Sequence, residues 1–286
     1  MARCDVCFHH CEIPEGHRGF CGAWRCADGK VQPENYGRIT GLALDPIEKK
    51  PLRRFHPGSM ILSVGSYGCN LRCPFCQNHE ISWSAEAMAL AGQAEAVTPE
   101  ELVEAAVRFK ARGNIGLAFT YNEPLIGWEF VRDAARLIHE AGLLNVLVTN
   151  GTAELPVLDA IAPHIDAMNI DLKGFTERYY REILGGDLDM VKAFIARAAQ
   201  LCHVELTALI VPGENDSEDE MREMTRWIAG LMGADGNVIG PSIPLHISRF
   251  FPRFHMTDRP PTDIRRICRL ADIAKEKLRF VYTGNC

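Results

Sequence analysis

The sequence predicts an α/β fold, namely a partial (β/α)6 parallel barrel preceded by a cysteine-rich N-terminal extension. Beyond residue 58, short β-branched runs alternate with amphipathic stretches, which is typical of βα units and a parallel sheet. The chain of 286 residues is 47% hydrophobic, so it can bury one large core. We therefore assign residues 1–58 to the extension, which carries a candidate metal site, and residues 59–286 to the barrel.

Six segments are predicted to form the barrel strands, because each is rich in β-branched residues and bounded by glycine or polar residues. In chain order they are 60–65, 115–120, 145–149, 167–172, 203–211 and 243–250, and a last extended run covers 279–282. In parallel α/β folds the loops after the C-terminal strand ends carry the chemistry. Polar residues at these ends are therefore the candidate site residues.

Two of the intervening helices begin with recognisable capping signals. Thr98 and Glu101 form one capping box, and Gly113 is expected to end that helix. Ser217 and Glu220 repeat the signature before a second helix. The apolar spacing that predicts the last helix involves Ile264, Ile267, Leu270 and Ala274.

Composition and charge exclude several classes of function. The formal net charge is -6 and no basic stripe is present, so nucleic acid is not an expected partner. Residues 1–10 lack the basic start and apolar run of an export signal, and no apolar stretch approaches the roughly 18 residues that span a bilayer. We expect a cytoplasmic protein without membrane contact that acts on a small molecule, a peptide or a protein.

Eleven cysteines in a long chain without an export signal favour metal binding over disulfides. They fall into two groups, the first consisting of Cys4, Cys7, Cys11, Cys21 and Cys26, the second of Cys69, Cys73 and Cys76. The isolated cysteines, Cys202, Cys268 and Cys286, are expected to be small core residues.

The second group lies in one short loop directly after the first barrel strand. Thiolates select zinc, copper or iron–sulfur clusters, and closed zinc or cubane sites take four ligands. Three cysteines, Cys69, Cys73 and Cys76, with no fourth nearby therefore indicate an open coordination position. Gly65 and Gly68 allow the tight turn that such a loop needs. The alternative is a zinc knuckle completed by a distant cysteine or histidine.

This Cys-x3-Cys-x2-Cys loop, with the aromatic Phe75 before its last cysteine, resembles the signature of the radical S-adenosylmethionine (SAM) superfamily. The resemblance implies a 4Fe–4S cluster on the three cysteines, whose open iron chelates the amino and carboxylate groups of SAM. One electron, from a donor such as flavodoxin or ferredoxin, then cleaves SAM to a 5′-deoxyadenosyl radical. Phe75 would pack near the adenine.

The next two strand ends resemble the same superfamily in part. Glu123, followed by proline, is similar to the last acid of a Gly-Gly-Glu-Pro motif that cradles the ligand's amino group, although Tyr121 and Asn122 depart from it. Val148-Thr149-Asn150-Gly151 resembles the Asp-Thr-Asn-Gly of glycyl-radical activating enzymes, with Val148 in place of the cation-binding Asp. The alternatives are a solvated helix-start acid for Glu123 and a turn residue for Asn150.

Two further strand ends complete the resemblance. Asp171-Leu172-Lys173 is similar to the Asp-Leu-Lys of the activating enzymes, which implies that Lys173 neutralises the ligand carboxylate and Asp171 orders it. His246 matches a histidine that those enzymes place near the ligand. A plain ion pair and a structural histidine are the alternatives.

The cysteine-rich extension contains Cys4-x2-Cys7-x3-Cys11-x9-Cys21, whose spacing suits a structural zinc or an auxiliary iron–sulfur cluster. A structural metal is favoured. Cys26 competes with Cys11 for a place in the set, and His9, His10 and His17 are substitute ligands. Unligated, reduced cysteines in a mobile extension are the alternative.

Residues 1–60 narrow the branch of the superfamily through four runs, namely Gly19–Gly22, Asn35-Tyr36-Gly37, Leu42–Pro51 and His56-Pro57-Gly58-Ser59. With these runs, most of the chain resembles the radical SAM enzymes of the AmmeMemoRadiSam system, which are related to the pyruvate formate-lyase activating enzymes. The function implied is reductive cleavage of SAM followed by hydrogen abstraction from an unassigned substrate. Two alternatives stay open: an activating enzyme for a glycyl radical protein, and a non-catalytic electron-transfer or metal-binding scaffold. The departures at Tyr121, Asn122 and Val148 favour the second alternative.

Overall fold

The computed structural model describes residues 1–90 and 94–286. Its strands are β1 (Ala2–Arg3), β2 (Glu12–Ile13), β3 (Trp24–Ala27), β4 (Lys30–Pro33), β5 (Arg38–Ile39), β6 (Gly41–Pro46), β7 (Met60–Gly65), β8 (Glu95–Ala96), β9 (Asn114–Phe119), β10 (Leu144–Thr149), β11 (Ala167–Asp171), β12 (His203–Ile210), β13 (Leu245–Arg249) and β14 (Val281–Gly284). Its α-helices are α1 (His79–Ser82), α2 (Ala85–Leu90), α3 (Pro99–Arg108), α4 (Trp128–Glu140), α5 (Leu155–Ile161), α6 (Leu188–Ala198), α7 (Glu218–Ala229) and α8 (Ile264–Lys275).

The main sheet has eight strands in the order β14-β13-β12-β11-β10-β9-β7-β6. All neighbours from β7 to β14 pair in parallel, and β6 is antiparallel to β7. The predicted α/β fold with a parallel core is confirmed, and each of the six predicted strands begins and ends within two residues of an observed one. Strand β6 was not predicted, and it lies inside the segment assigned to the extension. The division of the chain at residue 58 stays a prediction.

The helix caps follow the predicted signals with one correction. Thr98 and Glu101 form a complete capping box at α3, and Gly113 ends the following turn with a φ of 84°. At α7, Ser217 accepts from the Glu220 N–H, but the Glu220 carboxylate accepts instead from the Phe175 N–H at 2.6 Å. The second capping box is therefore only half formed, because the Glu220 carboxylate binds the Phe175 N–H instead of the Ser217 N–H.

Residues 47–55, which we call the floor segment, pack inside the barrel and enter it next to the start of β7. Ile47 and Leu52 are fully buried in an apolar cluster with Ile61, Ala118 and Val146, which belong to β7, β9 and β10. This cluster closes the N-terminal end of the barrel, so that the C-terminal mouth is the accessible end.

A single buried carboxylate ties the floor segment to two strands. The Glu205 oxygens lie 3.0 Å from His203 Nε2 and 2.7 Å from His246 Nε2, and they accept the backbone N–H groups of Arg53 and Arg54. Burial raises the pKa of Glu205, but the two histidines and the two N–H groups outweigh it and lower the pKa to about 2. Glu205 is therefore a charged anchor for the barrel floor.

Glu205→Ala is expected to lower the free energy of unfolding by about 3–5 kcal/mol, which is the cost of removing one partner from a buried pair. Since the folded-state pKa is below the ordinary 4.5, this stabilisation is present above pH 4.5 and is lost as the pH falls towards 2. Urea unfolding of parent and variant, repeated at decreasing pH, measures both effects.

Glu218→Ala is the matched control. The pKa of Glu218 is also lowered to about 2, first by the Arg269 hydrogen bond, but this carboxylate lies on the surface. Exposed ion pairs contribute little to stability, so the control should unfold close to the parent. Equal destabilisation by the two substitutions would show that the Glu205 network does not hold the floor segment.

The cysteine-rich extension packs on the mouth side of the barrel. β1 pairs with β2 and β3 with β4, and the Trp24 indole donates to the Ile126 carbonyl at 2.6 Å. Across the described residues, no helix combines the length and the apolar character that crossing a bilayer requires. The cytoplasmic location stays a prediction.

Candidate functional site

The C-terminal strand ends surround a cavity of about 460 Å³. Its wall includes Lys50, Cys69, Cys73, Phe75, Cys76, Tyr121, Glu123, Val148, Thr149, Asn150, Asp171, Lys173, Thr207, Leu209, Ser248 and Asn285. Eight of the nine site residues predicted in the barrel are thus on one cavity wall, and only His246 is not. A larger groove of about 1030 Å³ lies beside α3, but no cysteine is among its described wall residues.

The cysteine loop lies between β7 and α1. Cys73 is 8% exposed, and Cys69 and Cys76 are half-buried. Burial raises the pKa of the Cys69 thiol well above its usual range, and nearby charges on Glu123 and Cys73 raise it further. Burial raises the pKa of Cys73 to about 11, while the Lys173 charge opposes that rise. Charge on these sulfur atoms therefore needs a cationic partner.

The donor set fits an iron–sulfur cluster. Among the described residues, no three Cys, His, Asp or Glu side chains converge tightly enough to hold one ion. A cubane does not require such convergence, because each thiolate binds a different iron. Arg72 supplies positive charge near Cys69 and Cys73, and Lys173 supplies it near Cys73. The turn itself needs glycine at residue 68, since φ is 92° and a Cβ atom there would lie 2.6 Å from the Cys21 carbonyl oxygen.

Glu123 is held beside the cluster loop by the next strand ends. Its carboxylate is 3% exposed and accepts from Thr149 Oγ1 at 2.7 Å, from the Asn150 N–H at 2.7 Å and from the Leu125 N–H at 3.0 Å. Burial raises the pKa of Glu123 to about 7 even though all three hydrogen bonds lower it. Of the alternative, a solvated helix-start acid, the helix-start part is confirmed, since Glu123 caps the helical turn Pro124–Gly127, but the carboxylate is buried and water does not surround it.

Asn150 connects the third barrel strand to the cysteine loop. Its Nδ2 donates to Asn70 Oδ1 at 2.9 Å and lies 3.8 Å from Cys69 Sγ. Its Oδ1 accepts from the Thr152 N–H, and the following Gly151 has a φ of 68°. The predicted turn is thus at Gly151, and the Asn150 side chain is oriented toward the sulfur atoms.

Asp171 and Lys173 form an ion pair on the opposite wall. Lys173 Nζ lies 2.7 Å from Asp171 Oδ2, and their side chains are 17% and 31% exposed respectively. Burial lowers the pKa of Lys173, but the charges of Asp171 and Cys73 outweigh it and raise the pKa well above the usual range. Lys173 is therefore a permanent positive charge at the cavity wall, close to the thiols.

Two other predicted residues have different surroundings. Phe75 is 5% exposed and packs edge-to-face against Phe250, with ring centroids 6.2 Å apart. His246 does not reach the cavity, because its Nε2 is bonded to Glu205 below the mouth. On the same face of β13, Ser248 lines the wall instead.

A buried polar cluster in the wall was not predicted. Lys50 Nζ lies 2.9 Å from Asp45 Oδ2, and the Tyr121 hydroxyl donates to the same oxygen at 2.7 Å. Tyr121 has a φ of 75°, a left-handed conformation that costs a bulky residue about 1–3 kcal/mol. The departure from Gly-Gly at this position was the only sequence signal of the cluster.

The contacts of Asn122 explain why it stands in place of the second glycine of the Gly-Gly-Glu-Pro motif. Its Oδ1 accepts from the Ser66 N–H at 3.0 Å, and its Nδ2 donates to the carbonyls of Tyr67 and Gly68. The side chain therefore braces the backbone just before Cys69. A residue that supports the cysteine loop in this way does not indicate a loss of the site.

Comparisons with known proteins agree with this geometry. Residues 63–227 match the model of the Radical SAM superfamily. The chain is 38% identical over 286 residues to "Uncharacterized protein MJ0808" of Methanocaldococcus jannaschii, covering 99% of this chain and 81% of that protein. It is 27% identical over 187 residues to the pyruvate formate-lyase-activating enzyme of Clostridium pasteurianum, covering 64% of this chain and 75% of that enzyme. Streptococcus suis SuiB bound to S-adenosylmethionine superimposes with a TM-score of 0.56 at 14% identity, over 77% of this chain and 48% of SuiB.

Proposed function

The chain belongs to the radical SAM superfamily, and from this premise we propose that it cleaves SAM reductively and removes hydrogen from a further substrate. Its cofactors are a 4Fe–4S cluster and SAM. When bound, the cluster supplies the electron that converts SAM to methionine and a 5′-deoxyadenosyl radical. We assign Cys69, Cys73 and Cys76 as the ligands of the cluster.

The observation that carries this proposal is the shared cavity, where three thiols face a fixed ammonium group and a buried carboxylate. Lys173 would neutralise the carboxylate of SAM, with Asp171 holding the ammonium in place. Glu123 would accept from the amino group, and Asn150 would keep the cysteine loop at the right distance. Phe75 would exclude water on the adenine side. A reduced flavodoxin or ferredoxin is the expected electron donor.

The remaining wall belongs to the further substrate. Tyr121, Lys50, Ser248 and Asn285 also line the cavity. Asp45 is shared by Lys50 and by Lys49, which also lines the cavity, so this wall is polar and carries a net positive charge. It suits a polar small molecule or a peptide backbone.

A second candidate function is activation of a glycyl radical protein. It is favoured by the similarity to the pyruvate formate-lyase-activating enzyme of Clostridium pasteurianum. The non-catalytic scaffold loses its main support, because Tyr121 and Asn122 maintain the cavity wall and the cysteine loop.

The test is anaerobic reconstitution with iron and sulfide, followed by dithionite and SAM. We expect 5′-deoxyadenosine and methionine in equal amounts, with none above background when dithionite is omitted. If the fully reconstituted, reduced protein forms no more 5′-deoxyadenosine than the background, SAM cleavage is refuted. Deuterium transfer from labelled candidate substrates into 5′-deoxyadenosine would then separate a small molecule or peptide from a glycyl radical protein.

A further inference from the structure

Four thiols of the N-terminal extension lie together. Three of them, Cys4, Cys7 and Cys21, are buried, and Cys11 is half-buried. The Cys4 N–H donates to the Cys11 carbonyl at 3.0 Å. The Cys21 thiol is close enough to the other three that charge on any of them raises its pKa. Since residues 4–11 and 21 come from separate turns, the fold brings this group together.

The fifth cysteine does not belong to the group. Cys26 Sγ donates to the Glu15 carboxylate at 3.4 Å, and Glu15 is also its electrostatic partner. The three substitute histidines have other partners: His9 Nε2 lies 2.9 Å from the Asn70 carbonyl oxygen, His10 Nε2 lies 3.2 Å from Glu154 Oε1, and His17 Nδ1 lies 3.0 Å from the Glu15 carbonyl oxygen. The structure therefore selects Cys11 over Cys26.

Backbone N–H groups point at these sulfur atoms as they do in the catalytic loop. In that loop the N–H of Leu71, two residues on, donates to Cys69 Sγ at 3.4 Å. The residues two positions after Cys4, Cys7 and Cys21 interact with those sulfur atoms in the same way. Cys11 Sγ accepts from the Phe20 N–H at 3.5 Å. Such bonds stabilise thiolates and are a means of tuning iron–sulfur clusters.

Among the described residues, this group of thiols is not arranged to hold a single ion. A zinc site would bring four sulfur atoms to about 2.3 Å from one point. Among the described residues, neither this group nor the catalytic cysteines converge in that way. A cluster does not need that convergence, because each sulfur binds a separate iron.

The extension is also in direct contact with the catalytic loop. The Asn70 amide contacts the Cys7 thiol, and Asn70 Oδ1 accepts from the Asn150 side chain beside Cys69. Arg72 interacts with the charges of both Cys21 and Cys69, and its guanidinium donates to the Phe20 carbonyl at 2.5 Å. The polar side chains of Asn70 and Arg72 therefore lie between the two groups of thiols and contact both.

We propose that Cys4, Cys7, Cys11 and Cys21 bind a second 4Fe–4S cluster, which is fully ligated by protein and lies against the catalytic loop. This inference rests on the proposed function only in taking Cys69, Cys73 and Cys76 as the ligands of the other cluster. With no open iron, the second cluster is not expected to bind SAM.

The test counts iron and sulfide per chain after anaerobic reconstitution. The parent is expected to hold about eight of each, and the Cys69→Ala/Cys73→Ala/Cys76→Ala variant about four. After dithionite reduction, the electron paramagnetic resonance signal of that variant should not change when SAM is added. The Cys4→Ala/Cys7→Ala variant should also hold about four irons, but with a signal that responds to SAM. Cys26→Ala is the matched control and should retain about eight.

Two results would overturn the proposal. One is about four irons with one zinc per chain in the parent, the zinc being lost from Cys4→Ala/Cys7→Ala. The other is a folded triple variant, checked by circular dichroism, that contains no iron. The triple variant keeps its extension intact, so it decides the matter even if Cys4→Ala/Cys7→Ala does not fold. Failure of the proposed function would appear separately, as absence of 5′-deoxyadenosine from a parent that contains both clusters.

Discussion

The Cys73→Ala variant is expected to lose formation of 5′-deoxyadenosine by more than about 100-fold. Loss of a partner that only supports a metal ligand costs about 10–100-fold, and Cys73 is proposed as a ligand itself. Its sulfur is also the one most enclosed by protein, at 8% exposure, so neither water nor a mobile side chain replaces it. The measurement is product formed per chain from SAM and dithionite, after reconstitution of parent and variant in parallel.

Cys268→Ala is the matched control for this substitution. Cys268 was predicted to be a core residue, but it is exposed on α8 and is not part of the cavity wall. Its removal should leave product formation unchanged. If Cys73→Ala retained activity within about 10-fold of the parent while Cys268→Ala did the same, the cysteine loop would not be the cluster site.

The strands β7 and β9–β13 were predictable from the sequence, because their local composition is typical of buried strands. The runs that became β7 and β9–β13 are rich in apolar and β-branched residues, and their burial on both faces requires such residues. Strand β6 carries no such mark, since it reads Gly-Leu-Ala-Leu-Asp-Pro and is largely exposed at the edge of the sheet. Strand β6 forms because it pairs with β7 through backbone hydrogen bonds. Such pairing cannot be read from local composition.

The depth of a residue in the barrel was not predictable either. Alternation along β13 indicates that His246 and Ser248 share a face, but not which of them reaches the mouth. The contacts of the floor segment determine this. Its backbone N–H groups hold the Glu205 carboxylate in the position where Glu205 binds His246. Lys50 reaches the cavity for the same reason, through a segment whose course follows from distant contacts.

The Lys173→Met variant is expected to bind SAM about 30-fold more weakly or worse, with its cluster intact. The variant removes the proposed charge partner of the SAM carboxylate; truncating one partner of a hydrogen-bonded charge pair in a binding site costs about 2–5 kcal/mol, and about 1.4 kcal/mol corresponds to tenfold in affinity. The Asp171 carboxylate would then face the carboxylate of SAM with no cation between them. Equilibrium binding under anaerobic conditions measures the affinity, and iron content confirms that the cluster is present.

Two further variants separate a specific role of Lys173 from a general charge effect. Asp171→Asn/Lys173→Met should recover part of the affinity, because it removes the uncompensated carboxylate together with the ammonium. Lys192→Met removes a lysine from an exposed pair with Asp189 on α6 and should leave affinity unchanged. Unchanged affinity in Lys173→Met would place the carboxylate of SAM elsewhere in the cavity. Loss of iron from that variant would instead show that Lys173 acts by compensating the charge of the cluster thiolates, among which it interacts with Cys73.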